Sequence, residues 1–223
     1  MTHPESFNTV SAQRKRGIHI TVTIVLLAAI TFVGGFFWAF TRERVLSAEE
    51  LQANGALLFE KARQMPEFSL LNDKAETVSR AWFEGQWDIV FFGYTFCPDI
   101  CPTTLATLKQ YYDQLTPEQQ AQTRIVLASV DPARDNSKQL HQYLQFFHPD
   151  FRGVTGEFLE VYRFATGLGA PFKKAPGGGD NYLVDHSGNV ALINPEGHFV
   201  GILKSPVSVE QINRVMPTFE ALR

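Results

Sequence analysis

Both cysteines of this 223-residue chain lie in one short segment, Phe96-Cys97-Pro98-Asp99-Ile100-Cys101-Pro102. Thiolates attack disulfides and bind soft metals. If a helix starts within the segment, a spacing of four places the two sulfurs on one face, one turn apart. The free N–H groups of a helix start favour thiolate over thiol. Two such sulfurs can pinch a metal ion or close into a disulfide, but not both at once. Pro98 and Pro102 restrict the turn and suit the start of a helix. A local structural disulfide is the plainer alternative in an oxidising compartment. A disulfide closing so short a loop stabilises little, because it removes little unfolded-state entropy.

Two thiolates are a soft but incomplete ligand set. Zinc usually demands four ligands, whereas Cu(I) is content with two or three soft ones. With two cysteines, a Cys₄ zinc site and a disulfide-rich mini-scaffold are both excluded. A third ligand must come from the six histidines, at positions 3, 19, 141, 148, 186 and 198. His3 precedes a long apolar run and His19 lies inside it. His141 sits in a polar part of a helical pattern and reads as solvated. His148 follows that helix and suits its C-terminal dipole. Position alone leaves His186 and His198 open, with His186 the better placed. It sits at a strand end between Asp185 and Ser187, and open α/β sheets put their sites in loops at strand ends. Asp185 could orient His186 or simply bond turn backbone. Asp99 could tune the cysteines or act as a helix N-terminal acid. Asp131 and Asp135 read as turn and helix-cap residues, not ligands.

The elements that must position these residues follow from the apolar pattern. Ile89-Val90-Phe91-Phe92 and Ile125–Val130 are continuous apolar runs, as in strands buried on both faces. Leu105, Leu108, Tyr112 and Leu115 mark a helix after the first run. Leu140, Tyr143, Leu144 and Phe147 mark a helix after the second. Residues 157–166 form a weaker helix, and Phe68–Leu71 a short strand. Tyr182–Asp185, Val190–Asn194 and Phe199–Leu203 read as a meander with turns at Ser187-Gly188 and Pro195-Glu196-Gly197. Ser208 and Gln211 could cap a last helix. Ser47-Ala48-Glu49-Glu50 matches a capping box, opening an amphipathic stalk helix to about Gln64, with Gly55 weakening its middle. The pattern predicts an α/β domain with a central mixed sheet covered on both faces.

Ile18 to Phe40 contains no Asp, Glu, Lys or Arg. As a helix it spans roughly 30–35 Å, enough for a bilayer core. No cleavage site is evident before Arg42, so the run reads as an uncleaved anchor. Arg14, Lys15 and Arg16 precede it; Arg42 and Arg44 follow it. That bias places the N-terminus inside and the main domain outside. Trp38 fits an interfacial aromatic. The expected organisation is a cytoplasmic segment at 1–17, a transmembrane helix at 18–40, a stalk at 41–65 and a soluble domain at 66–223. Residues 1–45 carry a net charge of +3 and residues 46–223 a net charge of −6. An acidic body is a poor match for nucleic acid. A bacterial inner-membrane protein with a periplasmic domain fits best; a processed organelle protein is the alternative.

The stretch Phe92-Gly93-Tyr94-Thr95-Phe96-Cys97-Pro98-Asp99-Ile100-Cys101-Pro102 resembles the signature of the Sco/SenC family. The similarity continues through Ser129-Val130-Asp131-Pro132-Ala133-Arg134-Asp135, Phe147-His148-Pro149 and Val154-Thr155-Gly156. It closes with Tyr182-Leu183-Val184-Asp185-His186-Ser187 and Asn194-Pro195-Glu196-Gly197, so it covers roughly residues 66–220. The resemblance implies a thioredoxin-like fold with an inserted β-hairpin. It implies copper, as Cu(I) or Cu(II), bound by Cys97, Cys101 and His186. It also implies a role in assembling the dinuclear copper centre of cytochrome c oxidase, between a copper donor protein and the oxidase's copper-centre subunit. Some family members look more like thiol-disulfide reductases or redox sensors, in which Cys97 and Cys101 would be the redox pair and His186 dispensable. One departure is Asp180-Asn181-Tyr182, where relatives often have Asp-Tyr.

Overall fold

The computed structural model describes residues 21–37, 45–177 and 179–221. It divides into two units, Met1–Arg44 and Val45–Arg223. In the first, residues 21–37 are helical (α1) and exposed throughout. The expected span at 18–40 runs past both ends of this stretch; its flanks, with Trp38, His3 and His19, lie outside the described residues. Among the described residues no helix is long and apolar enough to cross a membrane.

The second unit is built around strand β4 (Trp87–Gly93), in which all seven residues are buried. Successive side chains of a strand point to opposite faces, so both faces of β4 are covered. β5 (Thr123–Ser129) runs parallel to β4, and β6 (Arg152–Thr155) parallel to β5. β9 (Val190–Ile193) lies antiparallel on the other side of β4, followed by β10 (His198–Leu203). β1 (Ala56–Gln64) closes that edge; β2 (Leu70–Asn72) and β3 (Thr77–Val78) close the other. The eight-stranded order is β1-β10-β9-β4-β5-β6-β2-β3. α3 (Ile100–Tyr112) follows β4 and packs against α7 (Val209–Ala221), while α5 (Ser137–Gln145) packs on β6 and α6 (Phe158–Gly167) on β5. This mixed sheet with its helical crossovers accords with the thioredoxin-like expectation.

Three elements differ from the sequence reading. The expected stalk helix is cut short. α2 (Ala48–Ala53) starts on the predicted capping box, with Ser47 Oγ accepting from the Glu50 amide at 3.2 Å. It stops before Gly55, whose φ of +71° is a helix-ending conformation. The chain then becomes β1, because the open edge of β10 offers a ladder and Ala56, Leu57 and Leu58 have apolar side chains to lay along it. The expected three-strand meander is only two strands, β9 and β10. Its first member pairs elsewhere: β8 (Val184–Asp185) joins β7 (Lys173–Lys174) in a separate two-stranded sheet, the inserted hairpin. The expected strand at Phe68–Leu71 is shifted to Leu70–Asn72, with Phe68 buried in the core instead. Short elements without a long apolar run went unread, among them β6 and α4 (Pro117–Ala121), which opens on a Thr116/Gln119 capping box.

Candidate metal centre

The parallel strands β4 and β5 both end at the same side of the sheet, and the chemistry sits just beyond those ends. β4 finishes at Gly93, and residues 94–99 cross to the start of α3 at Ile100. The helix therefore begins after Cys97. The two sulfurs are not brought together by a shared helical face, as the spacing suggested. Cys97 reaches the site from a turn, in which its amide donates to the Tyr94 carbonyl at 3.2 Å. Cys101 lies in the first turn of α3 and is fully buried, whereas Cys97 is half-buried. Asp99 stands at the N-cap position but its side chain makes no capping bond.

Close approach of α3 to β4 depends on Gly93. A Cβ built there would lie 2.9 Å from Cys101 Sγ and 2.9 Å from Phe91 Cε1. The loop itself is held from the side by Asp135, which is fully buried. Thr95 donates to this carboxylate twice, from its amide at 3.0 Å and its hydroxyl at 2.6 Å. Ser129 Oγ donates to it at 2.7 Å. Burial pushes the Asp135 carboxyl up, against the pull of these hydrogen bonds. Asp135 is thus more than the turn residue expected: it fixes the backbone two residues before Cys97.

His186 arrives from the inserted hairpin, directly after β8. Its Nδ1 lies 2.9 Å from the Ser187 carbonyl oxygen. A carbonyl can only accept, so Nδ1 is the donor there and Nε2 is the ring nitrogen left to face the sulfurs. Nε2 lies 3.7 Å from Cys101 Sγ. The ring meets Tyr94 edge-on at 5.8 Å and Phe91 at 6.3 Å between centroids. The partner that orients His186 is therefore its neighbour's backbone; Asp185, the other candidate, is exposed. The remaining described histidines are elsewhere. His141 pairs with the buried carboxylate of Asp73 at 3.0 Å, so it is not merely solvated. His148 packs on Tyr112 and Phe151 beside Asp113 and Asp150. His198 sits in β10, its amide donating to Asn194 Oδ1.

One ligand atom from each of Cys97, Cys101 and His186 lies within 4.8 Å of the others. With metal–ligand bonds of about 2.0–2.3 Å, donors around one three- or four-coordinate ion stand roughly 3.5–4 Å apart. The donor set and its spacing thus fit a soft metal ion. The two thiols are electrically unequal. A hydrogen bond from Cys101 holds Cys97 down to about 4, helped by His186 and by the amides of Asp99 and Cys101, against the cost of burial. The same bond, with burial, holds Cys101 well above the ordinary thiol range. Below the metal-binding state the pair is one thiolate and one thiol sharing a proton.

Residues 58–219 match the SCO1/SenC family. The chain belongs to that family. Protein SCO2 homolog, mitochondrial, of Mus musculus is 34% identical over 190 residues, which is 84% of this chain and 74% of that protein. The copper-bound crystal structure of Arabidopsis thaliana ScoI is 33% identical, with a TM-score of 0.64, covering 71% of this chain and 98% of that one. The copper-bound crystal structure of yeast Sco1 is 30% identical, with a TM-score of 0.65, covering 71% of this chain and 90% of that one. In this SCO1/SenC chain the structure brings together all three residues that the sequence singled out. It adds Asp135, Tyr94, Asp131, Arg134 and Tyr182, which touch the segments that carry the ligand atoms. The signal for Asp135 was its place in the loop that follows a buried strand. The signal for Tyr182 was an aromatic four residues before His186. Neither names its partner, because Thr95–Asp135 and Tyr182–Asp131 are 40 and 51 residues apart in the chain.

Proposed function

We propose that this protein is a membrane-anchored copper chaperone that passes copper to the copper-centre subunit of cytochrome c oxidase, having received it from a donor protein. The observation that carries this reading is the convergence of Cys97 and Cys101 from one segment and His186 from another, 85 residues beyond Cys101, onto one soft donor set. Two sulfurs and one imidazole nitrogen suit copper, and both copper-bound relatives share the fold. When bound, copper would be cargo held by Cys97, Cys101 and His186. Cys101 gives up its proton on loading, so metal uptake and proton release are coupled. The Ser187 carbonyl accepts from Nδ1 of His186 and so orients the ring with Nε2 toward the sulfurs. Half-buried Cys97 leaves a side from which an acceptor's ligands can exchange in. The apolar run at 18–40 and the excess of Lys/Arg before it support a single span. In that reading the N-terminus is cytoplasmic and residues 41–223 are in the periplasm of a bacterial inner membrane.

A second reading has its own observation. Cys97 is a half-buried thiolate beside a protonated Cys101, the arrangement of an attacking and a resolving thiol. Such a pair could reduce the acceptor's cysteines before copper arrives. The experiment is genetic. In cells lacking the chain, oxidase copper content returns with the intact protein, fails with Cys97→Ser, Cys101→Ser or His186→Ala, and falls when residues 18–40 are removed. Restoration by His186→Ala with failure of the cysteine variants would favour the reductase reading. Full oxidase copper in cells lacking the chain would contradict both.

A further inference from the structure

The loop between β5 and α5 grips both halves of the donor set with different side chains. On the cysteine side, Asp135 holds Thr95 by two hydrogen bonds. On the histidine side, Asp131 and Arg134 hold Tyr182, four residues before His186. Tyr182 Oη donates to Asp131 Oδ1 at 2.6 Å. Arg134 Nη2 donates to the Tyr182 carbonyl at 2.9 Å. The Arg134 guanidinium carbon lies 3.7 Å from the Tyr182 ring centroid, and Lys174 Nζ lies 3.6 Å from it. Arg134 is fixed in turn by Nε donating to Asp131 Oδ2 at 2.5 Å, and Asp131 is only 3% exposed. Tyr182 is thus engaged through its hydroxyl, its ring and its backbone.

The segment so gripped has little else to order it. β7 and β8 are two residues each, Gly177 and Gly179 take positive φ, and Leu183 is exposed. Within the hairpin the Ala175 amide donates to the Leu183 carbonyl at 2.8 Å, and Val184 is a second anchor to the sheet side: it is buried, and its amide donates to Tyr94 Oη at 3.2 Å. A short hairpin held at few points samples many positions when one is released. Each position that carries Nε2 away from the sulfurs reduces apparent metal affinity by the fraction of time lost.

We propose that Tyr182, clamped by Asp131 and Arg134, is a positioning residue that sets His186 against the two sulfurs. With Asp135 doing the same for the cysteine turn, residues 131–135 fix the distance between the two halves of the site. The inference rests on the reading of Cys97, Cys101 and His186 as copper ligands.

The test is a double-mutant cycle on the full chain, with Cu(I) affinity read anaerobically by chelator competition. Tyr182→Ala weakens Cu(I) binding by about tenfold, as loss of ligand-orienting contacts does. In the His186→Ala background the same substitution changes nothing, because there is no imidazole left to position. Tyr182→Phe keeps the ring and loses the bond to Asp131; it folds as the parent does and shows a smaller loss. In the metal-free protein Tyr182→Ala also speeds hydrogen exchange at the Val184 amide. An equal loss in both backgrounds would overturn the proposal, since it would mean general loosening. Unchanged affinity in Tyr182→Ala and Tyr182→Phe, beside a clear loss in His186→Ala, overturns the clamp alone. No loss in His186→Ala overturns the clamp together with the ligand assignment.

Discussion

Cys97 and Cys101 divide one proton unequally, and that division is open to direct measurement. Because the Cys97 value lies near 4, its thiolate is fully formed well below neutrality. Its rate of alkylation in the metal-free protein should therefore be flat from about pH 6 to pH 8. An ordinary thiol, with a value near 8.5, gains about tenfold per pH unit there. Cys101→Ala removes the largest cause of the shift, so in that variant the alkylation rate should rise with pH like that of an ordinary thiol. A wild-type rate that climbs steeply across the same range would contradict the shared-proton description. Asp135 matters at this scale too. Asp135→Ala leaves the Thr95 amide, the Thr95 hydroxyl and Ser129 Oγ without their acceptor. Leaving buried donors unpaired should cost about 3 kcal/mol in denaturant unfolding. Cys97 and Cys101 were legible in the sequence because the chain has only two cysteines and their chemistry is narrow, whereas His186 was singled out from six histidines only by the family resemblance. Asp135 was not, since a buried Asp after a strand looks the same whether it caps a helix or holds a distant loop.

Among the elements, β4 and α3 decide where the sulfurs sit. Cys101 is buried against Gly93 with no room for a methyl group between them. Gly93→Ala should push Cys101 and the first turn of α3 outward. Overpacking of this kind costs about 1–3 kcal/mol in stability, and the displaced sulfur should weaken copper binding as well. Unchanged melting and unchanged affinity together would show that the helix start is free to move. The strands buried on both faces were readable because a run such as Ile89-Val90-Phe91-Phe92 suits little else. The first strand was misread as helix for a physical reason. Its residues 56–59 are apolar without a clear period, and only the left-handed Gly55 and the free edge of β10 decide the outcome. The pairing of β8 with β7 instead of β9 was equally hidden. Tyr182–Asp185 is strand-like locally, but its partner is set by the Tyr182 and Val184 anchors to residues far along the chain.

For the whole molecule, the ligand atoms all belong to the unit Val45–Arg223, which also carries the whole of the family match. In the proposed function the acidic body holds the copper and the apolar N-terminal run is its tether. Fold and donor set were visible in the sequence largely because the signature stretches come in fixed order. The bracket that joins them was not, because it exists only once residues 94–101, 131–135 and 182–186 are folded against one another. The central claim is that these segments make one copper site with three protein ligands. The measurement that tests it is anaerobic titration of the reduced full-length protein with Cu(I), against a chelator of known affinity, beside His186→Ala. The account predicts one copper per chain and an affinity reduced by at least about tenfold in the variant. Equal affinity in the two proteins would contradict it, leaving the cysteine pair as a thiol-exchange centre to which His186 is irrelevant.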